Sequence, residues 1–495
     1  MVFYQRSLLL VLLLCFLVPA VRAETLAEKV REAAFPNGLR LLVVERHDSP
    51  TFAAYISIGV GSVNEPENAR GVAHLLEHML FKGTKQIGTT DYMAEKPILD
   101  AIEKVGDRLD ALRSNTQADA GEIDRLQKRL AELQQEHKHY VVKDEFSRIY
   151  AENGGVGYNA FTSKDQTSYV ISLPSNRLEL WAAVESDRMR NAVLREFYTE
   201  REVIREERRR SYESSPSGLL YEHLLANAFT VHPYRNPIIG WDTDIQNLSL
   251  TETRTFHERY YAPVNTVITL VGDVTLESAT QIVERYFGAI PAGTPVPRVV
   301  TVEPPQNGEK RLAVEFDAEP LLSMAFHKPT LPERADYVFD IIDLLLSGGT
   351  SSRLYRALVV EQGLAASVST YTAPGSRYPN LFIVSATPRF PHTLAEVEAG
   401  IVAELKRLAD TPVADDELQR VRQRLRADLL RALRSNNGLA RMISHYQTVA
   451  GDWRYLVDYP SIIETITAED IQQVAQMYFR NENRTVARLG REVSP

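Results

Sequence analysis

Cysteine is nearly missing from this chain of 495 residues: the single one, Cys15, lies in the apolar leader "MVFYQRSLLLVLLLCFLVPAVRA". That leader has Arg6 in a short n-region, an apolar run from Leu8 to Val18 and Val21-Arg22-Ala23 at its end. It reads as a secretory signal peptide cut after Ala23, because the apolar run is too short to span a bilayer. Leu14 before Cys15 is not small, which argues against a lipoprotein signal. The mature chain then has no cysteine, so it forms no disulfide and no thiolate metal site. Any metal must be held by histidine and carboxylate. Positive charge is also short, with 56 Lys+Arg against 65 Asp+Glu. Loss of Arg6 and Arg22 leaves 54 against 65, a net charge near −11. This balance argues against nucleic acid as the main partner. No apolar run after the leader is long enough to cross a membrane. The expected location is therefore periplasmic or secreted.

A Pro-rich, strand-poor stretch, "GAIPAGTPVPRVVTVEPPQNGEK" (288–310), divides the mature chain into two parts of similar size and reads as a linker. The expected boundaries are 24–287 and 311–495. Each part opens with apolar or alternating strands, "GLRLLVVE" and "TFAAYISIGVG" in the first, "RLAVEF" and "LSMAFHK" in the second. Each continues into long charged helices, "LREFYTEREVIREERRR" (194–210) and "VADDELQRVRQRLRADLL" (413–430). The pattern predicts an α+β chain of two related units, each a sheet covered by long helices. An insertion of about 96–142 interrupts the first. Ile98, Ile102, Val105, Leu109 and Leu112, and then Ile123, Leu126, Leu130 and Leu133, follow heptad spacing. "SNTQADAG" (114–121) between them is turn-like, which predicts an antiparallel helical hairpin projecting from the unit.

Histidine is scarce, 11 in all, yet "RGVAHLLEHMLFKGT" (70–84) places His74, Glu77 and His78 within five residues. The apolar spacing predicts a helix, on which His74 and His78 are i and i+4 and leave the same face one turn apart. Two imidazole nitrogens so placed can reach one ion at about 2.0–2.1 Å. Glu77 shares that face. The order H-x-x-E-H is the inverted form of the zincin motif. A catalytic zinc takes three protein ligands and one water, so a third ligand is needed. With cysteine excluded, it is an Asp, Glu or His from another element.

These residues, with "NAFTSKDQTSY" (159–169), "EREVIREE" (200–207) and "SGGTSSRLY" (347–355), resemble the pitrilysin/insulinase family of zinc metallopeptidases over nearly the whole mature chain. The resemblance implies one Zn²⁺ per chain and half of a clamshell chamber that closes over unfolded peptides. It makes Glu207 the third metal ligand and Glu200, two helical turns earlier, an outer acid that orients a ligand or water. Glu206 is a rival by adjacency. It makes Glu77 the general base and Asn159 a contact to substrate backbone. Glu207 lies 129 positions after His78 (207 − 78), further than relatives need, and the excess is about the size of the hairpin.

The chain departs from that family in its second half. Active relatives carry an arginine and, seven residues later, a tyrosine; "LVVEQGLAASVS" (358–369) has Val359 and Ala366 there. Neither side chain can donate a hydrogen bond. The expectation is a heterodimer with a second family member that supplies the pair, with a homodimer as the alternative. Arg353 or Tyr355 are the candidates for an internal substitute. The rival functional reading is a non-catalytic subunit or peptide-binding scaffold.

Overall fold

A computed structural model of the chain describes residues 25–113 and 119–491. The signal-peptide reading of 1–23, with Cys15, and residues 114–118 of the expected turn lie outside the described residues. Two mixed sheets carry the fold. The first runs in space β1 (Val30–Ala34), β2 (Arg40–Glu45), β6 (Thr266–Gly272), β3 (Thr51–Ile58), β5 (Thr167–Pro174) and β4 (Val156–Thr162). The second runs β7 (Lys310–Glu315), β11 (Arg484–Gly490), β8 (Leu321–Lys328), β10 (Asn380–Pro388) and β9 (Ala365–Ala373). Leaving out β1, a strand not foreseen from the polar "VREAA", the two topologies coincide. In each sheet the first strand pairs parallel with the last, and the other pairings are antiparallel. The third strand of each set, β4 or β9, forms an edge. The weak repeat in the sequence is thus a duplication of architecture.

All seven residues of β6 are buried, as expected of a strand covered on both faces. The packing accounts for this. One face of the first sheet meets helices of its own half, through residues such as Leu75, Leu76, Trp181 and Phe287. The other face meets Leu439, Ala440, Ile443, Trp453 and Leu456, which belong to the second half. The loan is returned by the helix Pro216–Ala228. Its Leu220, Leu224, Leu225 and Ala228 cover Leu381, Ile383, Ala487 and Leu489 of the second sheet. Residues 291–309 between the halves contain neither helix nor strand. They are nonetheless fastened: the Glu303 carboxylate accepts the backbone N–H groups of Thr230, Val231 and His232 at 2.6, 3.0 and 2.9 Å.

The hairpin helices are Tyr92–Arg113 and Ala120–His137, beginning four residues ahead of the expected insertion. Of the heptad residues, Ile102, Leu109, Leu112, Leu130 and Leu133 are buried. The hairpin does not simply project, however. Its seam is continuous with the first core, and it lies against the helix Phe197–Arg208. At Gly106 a Cβ would fall 1.7 Å from the Tyr198 hydroxyl oxygen, so only glycine admits this approach. Arg201 of the same helix reaches Asp110 at 3.3 Å.

Truncating a large apolar side chain that the second half lends to the first sheet should expose this reciprocal packing. Trp453 is 1% exposed and donates its indole N–H to Glu32 at 2.9 Å. Trp453→Ala is expected to destabilise the chain by about 3–5 kcal/mol, as for other buried large-to-small changes. Denaturant unfolding that shows wild-type stability would mean that the halves are not mutually covering in solution.

Candidate metal centre

The motif forms the helix Val72–Met79, with Val72, Ala73, Leu75, Leu76 and Met79 buried against the first core. Its entry is fixed by Glu65, whose carboxylate accepts the N–H groups of Gly71 and Ala73, each at 2.9 Å. Burial pushes the Glu65 pKa up to about 8. With the apolar face committed inward, His74 and His78 leave together, their ring centroids 4.7 Å apart.

Phe197–Arg208 brings Glu207 to both imidazoles. His74 Nε2 lies 3.8 Å from Glu207 Oε1, and His78 Nε2 lies 3.6 Å from Glu207 Oε2. These separations exceed a hydrogen bond. They are close to the roughly 3.3–3.5 Å expected between two donors that share a tetrahedral ion at 2.0–2.1 Å. One ligand atom from each of the three residues can be chosen so that all lie within 4.8 Å of one another. Glu206, by contrast, turns away and pairs with Arg209 at 2.6 Å and Arg210 at 3.3 Å. The structure thus separates the two adjacent glutamates that sequence adjacency had left as rivals.

Burial, with His78 beside it, pushes the His74 pKa down to about 3, so the ring is neutral. His74 Nδ1 is buried with no hydrogen-bond partner among the described residues. Nε2, beyond hydrogen-bonding range of Glu207, is the nitrogen that faces the other two residues and can take an ion. His78 is oriented differently. Its Nδ1 lies 2.9 Å from Glu200 Oε1, which places a proton on Nδ1 and leaves Nε2 as the nitrogen facing Glu207. Glu200 itself is held at 2.5 Å by Lys82. Burial alone would raise the Glu200 pKa, but the bonds from His78 and Lys82 hold it down to about 2. Two imidazoles and a carboxylate, with no thiolate, form a donor set that fits Zn²⁺.

Glu77 is 8% exposed and accepts a hydrogen bond from the Thr162 hydroxyl at 2.5 Å. Burial raises its pKa, partly opposed by Thr162. Thr162 ends the edge strand β4, and Asn159 is exposed on the same strand. Glu77, His78, Phe81, Lys82, Asn159 and Glu200 line a cavity of about 470 Å³. A second cleft, about 600 Å³ between the hairpin and Tyr261, includes none of His74, Glu77, His78 or Glu207 in its lining. Every site residue expected from the sequence therefore lies in this one region. Three were missed. Lys82 and Thr162 stood inside the quoted motifs, but nothing marked them as partners of acids. Glu65 has no local signal, because its role depends on a turn in three dimensions.

A duplicated sheet-and-helix architecture carrying a two-histidine, one-glutamate set on its first half defines a class, the two-domain half-clamshell of M16-like peptidases. A family profile described as "Insulinase (Peptidase family M16)" matches residues 40–120 and 135–242, and one described as "Peptidase M16 inactive domain" matches 247–425. The chain belongs to the pitrilysin/insulinase family, peptidase family M16. The interruption of the first match falls within the hairpin. The chain is similar to the zinc protease PqqE of Helicobacter pylori, with 27% identity over 485 residues and 96% of each chain covered. An uncharacterized zinc protease of Mycobacterium tuberculosis shares 25% over 465 residues, 92% of each. Among solved structures, a Helicobacter pylori protease superposes with a TM-score of 0.78 at 25% identity, covering 93% of this chain and 99% of that one. The periplasmic protease PqqL of Escherichia coli superposes at 0.70 and 16% identity, with 94% of this chain covering 49% of PqqL. These names and the family membership support a peptidase-like function.

The adjacent glutamates give a direct test of the geometry. Glu207→Gln is expected to weaken zinc binding by at least about tenfold in chelator competition, and Glu206→Gln to leave it unchanged. Glu200→Gln should cost about tenfold, as loss of an outer partner does. Equal losses for Glu206 and Glu207 would contradict the register.

Proposed function

We propose that the chain is a zinc-dependent metalloendopeptidase acting on extended segments of unfolded peptides or small proteins. The observation that carries the reading is the convergence of His74, His78 and Glu207 from two helices, with the buried carboxylate Glu77 on the same helical turn. In this reading the three hold one Zn²⁺, which supplies Lewis acidity that polarises a carbonyl and acidifies water. Glu77 is the general base that accepts the proton of the attacking water and delivers it to the leaving amine. Its raised pKa suits both acts, and Thr162 fixes the carboxylate that performs them. Glu200 acts through His78, holding its proton on Nδ1.

The substrate path follows from the sheet. β4 pairs with β5 on one side, and among the described residues no strand lies on the other. An extended peptide can add there as a further strand, with Asn159 beside its backbone and Glu77 at the strand's end. The leader and the periplasmic setting stated for PqqL support a periplasmic or secreted location. No helix among the described residues is long and apolar enough to cross a membrane.

The second half supports a partnered enzyme. Val359 is 8% exposed and packs in the second core, while Ala366 is exposed on the edge strand β9. The internal substitutes are committed elsewhere: Arg353 makes a two-point contact with Glu417 at 2.9 and 2.6 Å, and Tyr355 packs on the second core. Substrate would be positioned from the zinc side alone, and positioning is a large part of barrier lowering. The partner is a second M16-like chain carrying the arginine and tyrosine. A homodimer is the alternative arrangement. A non-catalytic scaffold is the rival function, and the intact base and ligand set disfavour it.

Two measurements test the proposal. Glu77→Gln should lower peptide cleavage by at least about 10²-fold while zinc stays near one per chain by metal analysis. Wild-type turnover in this variant would remove Glu77 as the base. The purified zinc-loaded chain alone should cleave unstructured peptides slowly until an M16-like partner from the same host is added. Full turnover by the chain alone would rule out the heterodimer.

A further inference from the structure

The inserted hairpin ends where the metal site begins. Arg195 lies two residues before the helix that carries Glu200 and Glu207, and it is fully buried. Its Nε and Nη2 donate to Oε1 and Oε2 of Glu95 at 2.6 and 2.9 Å. Glu95 lies in the first turn of the first hairpin helix. The same Glu95 Oε1 is 2.7 Å from Nε2 of His137, the last residue of the second hairpin helix. Both ends of the hairpin thus close on one buried carboxylate. The rest of the Arg195 guanidinium faces the loop after the histidine helix. Nη2 donates to the Thr84 carbonyl at 2.6 Å, and Nη1 to those of Ile87 and Lys82 at 3.3 and 3.4 Å. Gly83 makes room for it. At its φ of +112°, a Cβ would lie 2.3 Å from the Ile87 carbonyl oxygen and 2.7 Å from Arg195 Nη1.

The connections run on into the site. The Lys82 carbonyl is held by Arg195, the Lys82 ammonium holds Glu200, and Glu200 holds His78. We propose that this cluster makes the inserted hairpin a positioning device for the metal centre. Glu95, His137 and Arg195 would then be positioning residues that fix the offset between the histidine helix and the glutamate helix, and with it the zinc affinity. This rests on the reading that His74, His78 and Glu207 hold zinc. A hairpin that only decorated the surface would not need two buried ends meeting on one carboxylate, paired in turn with an arginine that also ties down the motif loop.

The test is made on the full chain, with zinc affinity read by chelator competition and ligand geometry by the visible absorption of the cobalt-substituted protein. Glu95→Gln keeps the shape and removes the charge opposite Arg195. It is expected to raise the zinc dissociation constant by about tenfold, the size typical of outer partners, and to shift the cobalt bands. A buried guanidinium left unpaired is strongly destabilising, so a neutral change is needed as well. His137→Ala removes one donor and no carboxylate, and should move both readouts in the same direction by less. His137→Gln, which keeps a donor, should restore them. Leu408→Ala in the second core is the control, since it costs stability without touching the cluster. It should leave affinity and spectrum at wild type. Wild-type affinity and cobalt bands in both Glu95→Gln and His137→Ala would overturn the proposal. So would an equal effect from Leu408→Ala. A wild-type chain that binds no zinc would instead overturn the metal reading on which the proposal rests.

Discussion

The hydrogen bond between His78 Nδ1 and Glu200 joins two helices whose residues are 122 positions apart, and the site depends on that bond. An imidazole can offer Nε2 to an ion only if its other nitrogen carries the proton, and a carboxylate facing Nδ1 enforces this. The same glutamate sets the register of its helix. Seven residues on, two turns later, Glu207 arrives on the same face and lies opposite both Nε2 atoms. A shift of one residue would bring Glu206, whose carboxylate instead serves the arginines of the following turn. The spacing seven is therefore a statement about one contact at each end of two helical turns.

Holding two helices to that tolerance requires support on every side. The histidine helix is fixed at its start by Glu65 and along its length by apolar residues against the first sheet. The glutamate helix is fixed by Tyr198 seated over Gly106 and by Arg201 against Asp110 and the Leu248 carbonyl. The first sheet gains rigidity because its far face is covered by the second half. A strand such as β6, buried at every position, could not be left half-covered without exposing some of its Val, Ile and Leu side chains. The reciprocal exchange of helices removes that cost for both sheets and couples the half that carries His74, His78 and Glu207 to the half that does not.

Much of this was legible in the sequence. The helical period of "GVAHLLEHMLF" is a local pattern, and the structure forms the helix it implies. The heptads at 98–112 and 123–133 gave the hairpin, because two seams of matched length have few other ways to be buried. The hairpin's docking was not legible. It rests on Gly106 and on the charges Glu95, His137 and Arg195, which in a sequence look like ordinary helix-surface residues. Nor could the sequence separate Glu206 from Glu207 without a resemblance, since a helix rich in Glu and Arg offers several faces of equal charge. The short strand β1 escaped notice for a related reason: only Val30 of its five residues is buried.

Duplication explains why the second half keeps the architecture without the histidine motif. β9 holds the same place in its sheet as β4, at an edge and third in the series, so both sheets could in principle receive an extended chain. What differs is the helix that faces the edge. In the first half it presents His74, Glu77 and His78 across from Glu207. In the second half the helix Arg334–Ser347 buries Ile341, Ile342, Leu345 and Leu346 in its core. Its Asp343 carboxylate is engaged by the hydroxyl of Thr370 on β9 at 2.6 Å. Burial raises the Asp343 pKa, opposed by that bond. A carboxylate on a helix beside an edge strand and bonded to a threonine of that strand is the same pairing as Glu77 with Thr162. The helix Arg334–Ser347 carries no histidine. In the second half this pairing fastens helix to edge, while in the first half the same pairing lies beside His74, His78 and Glu207.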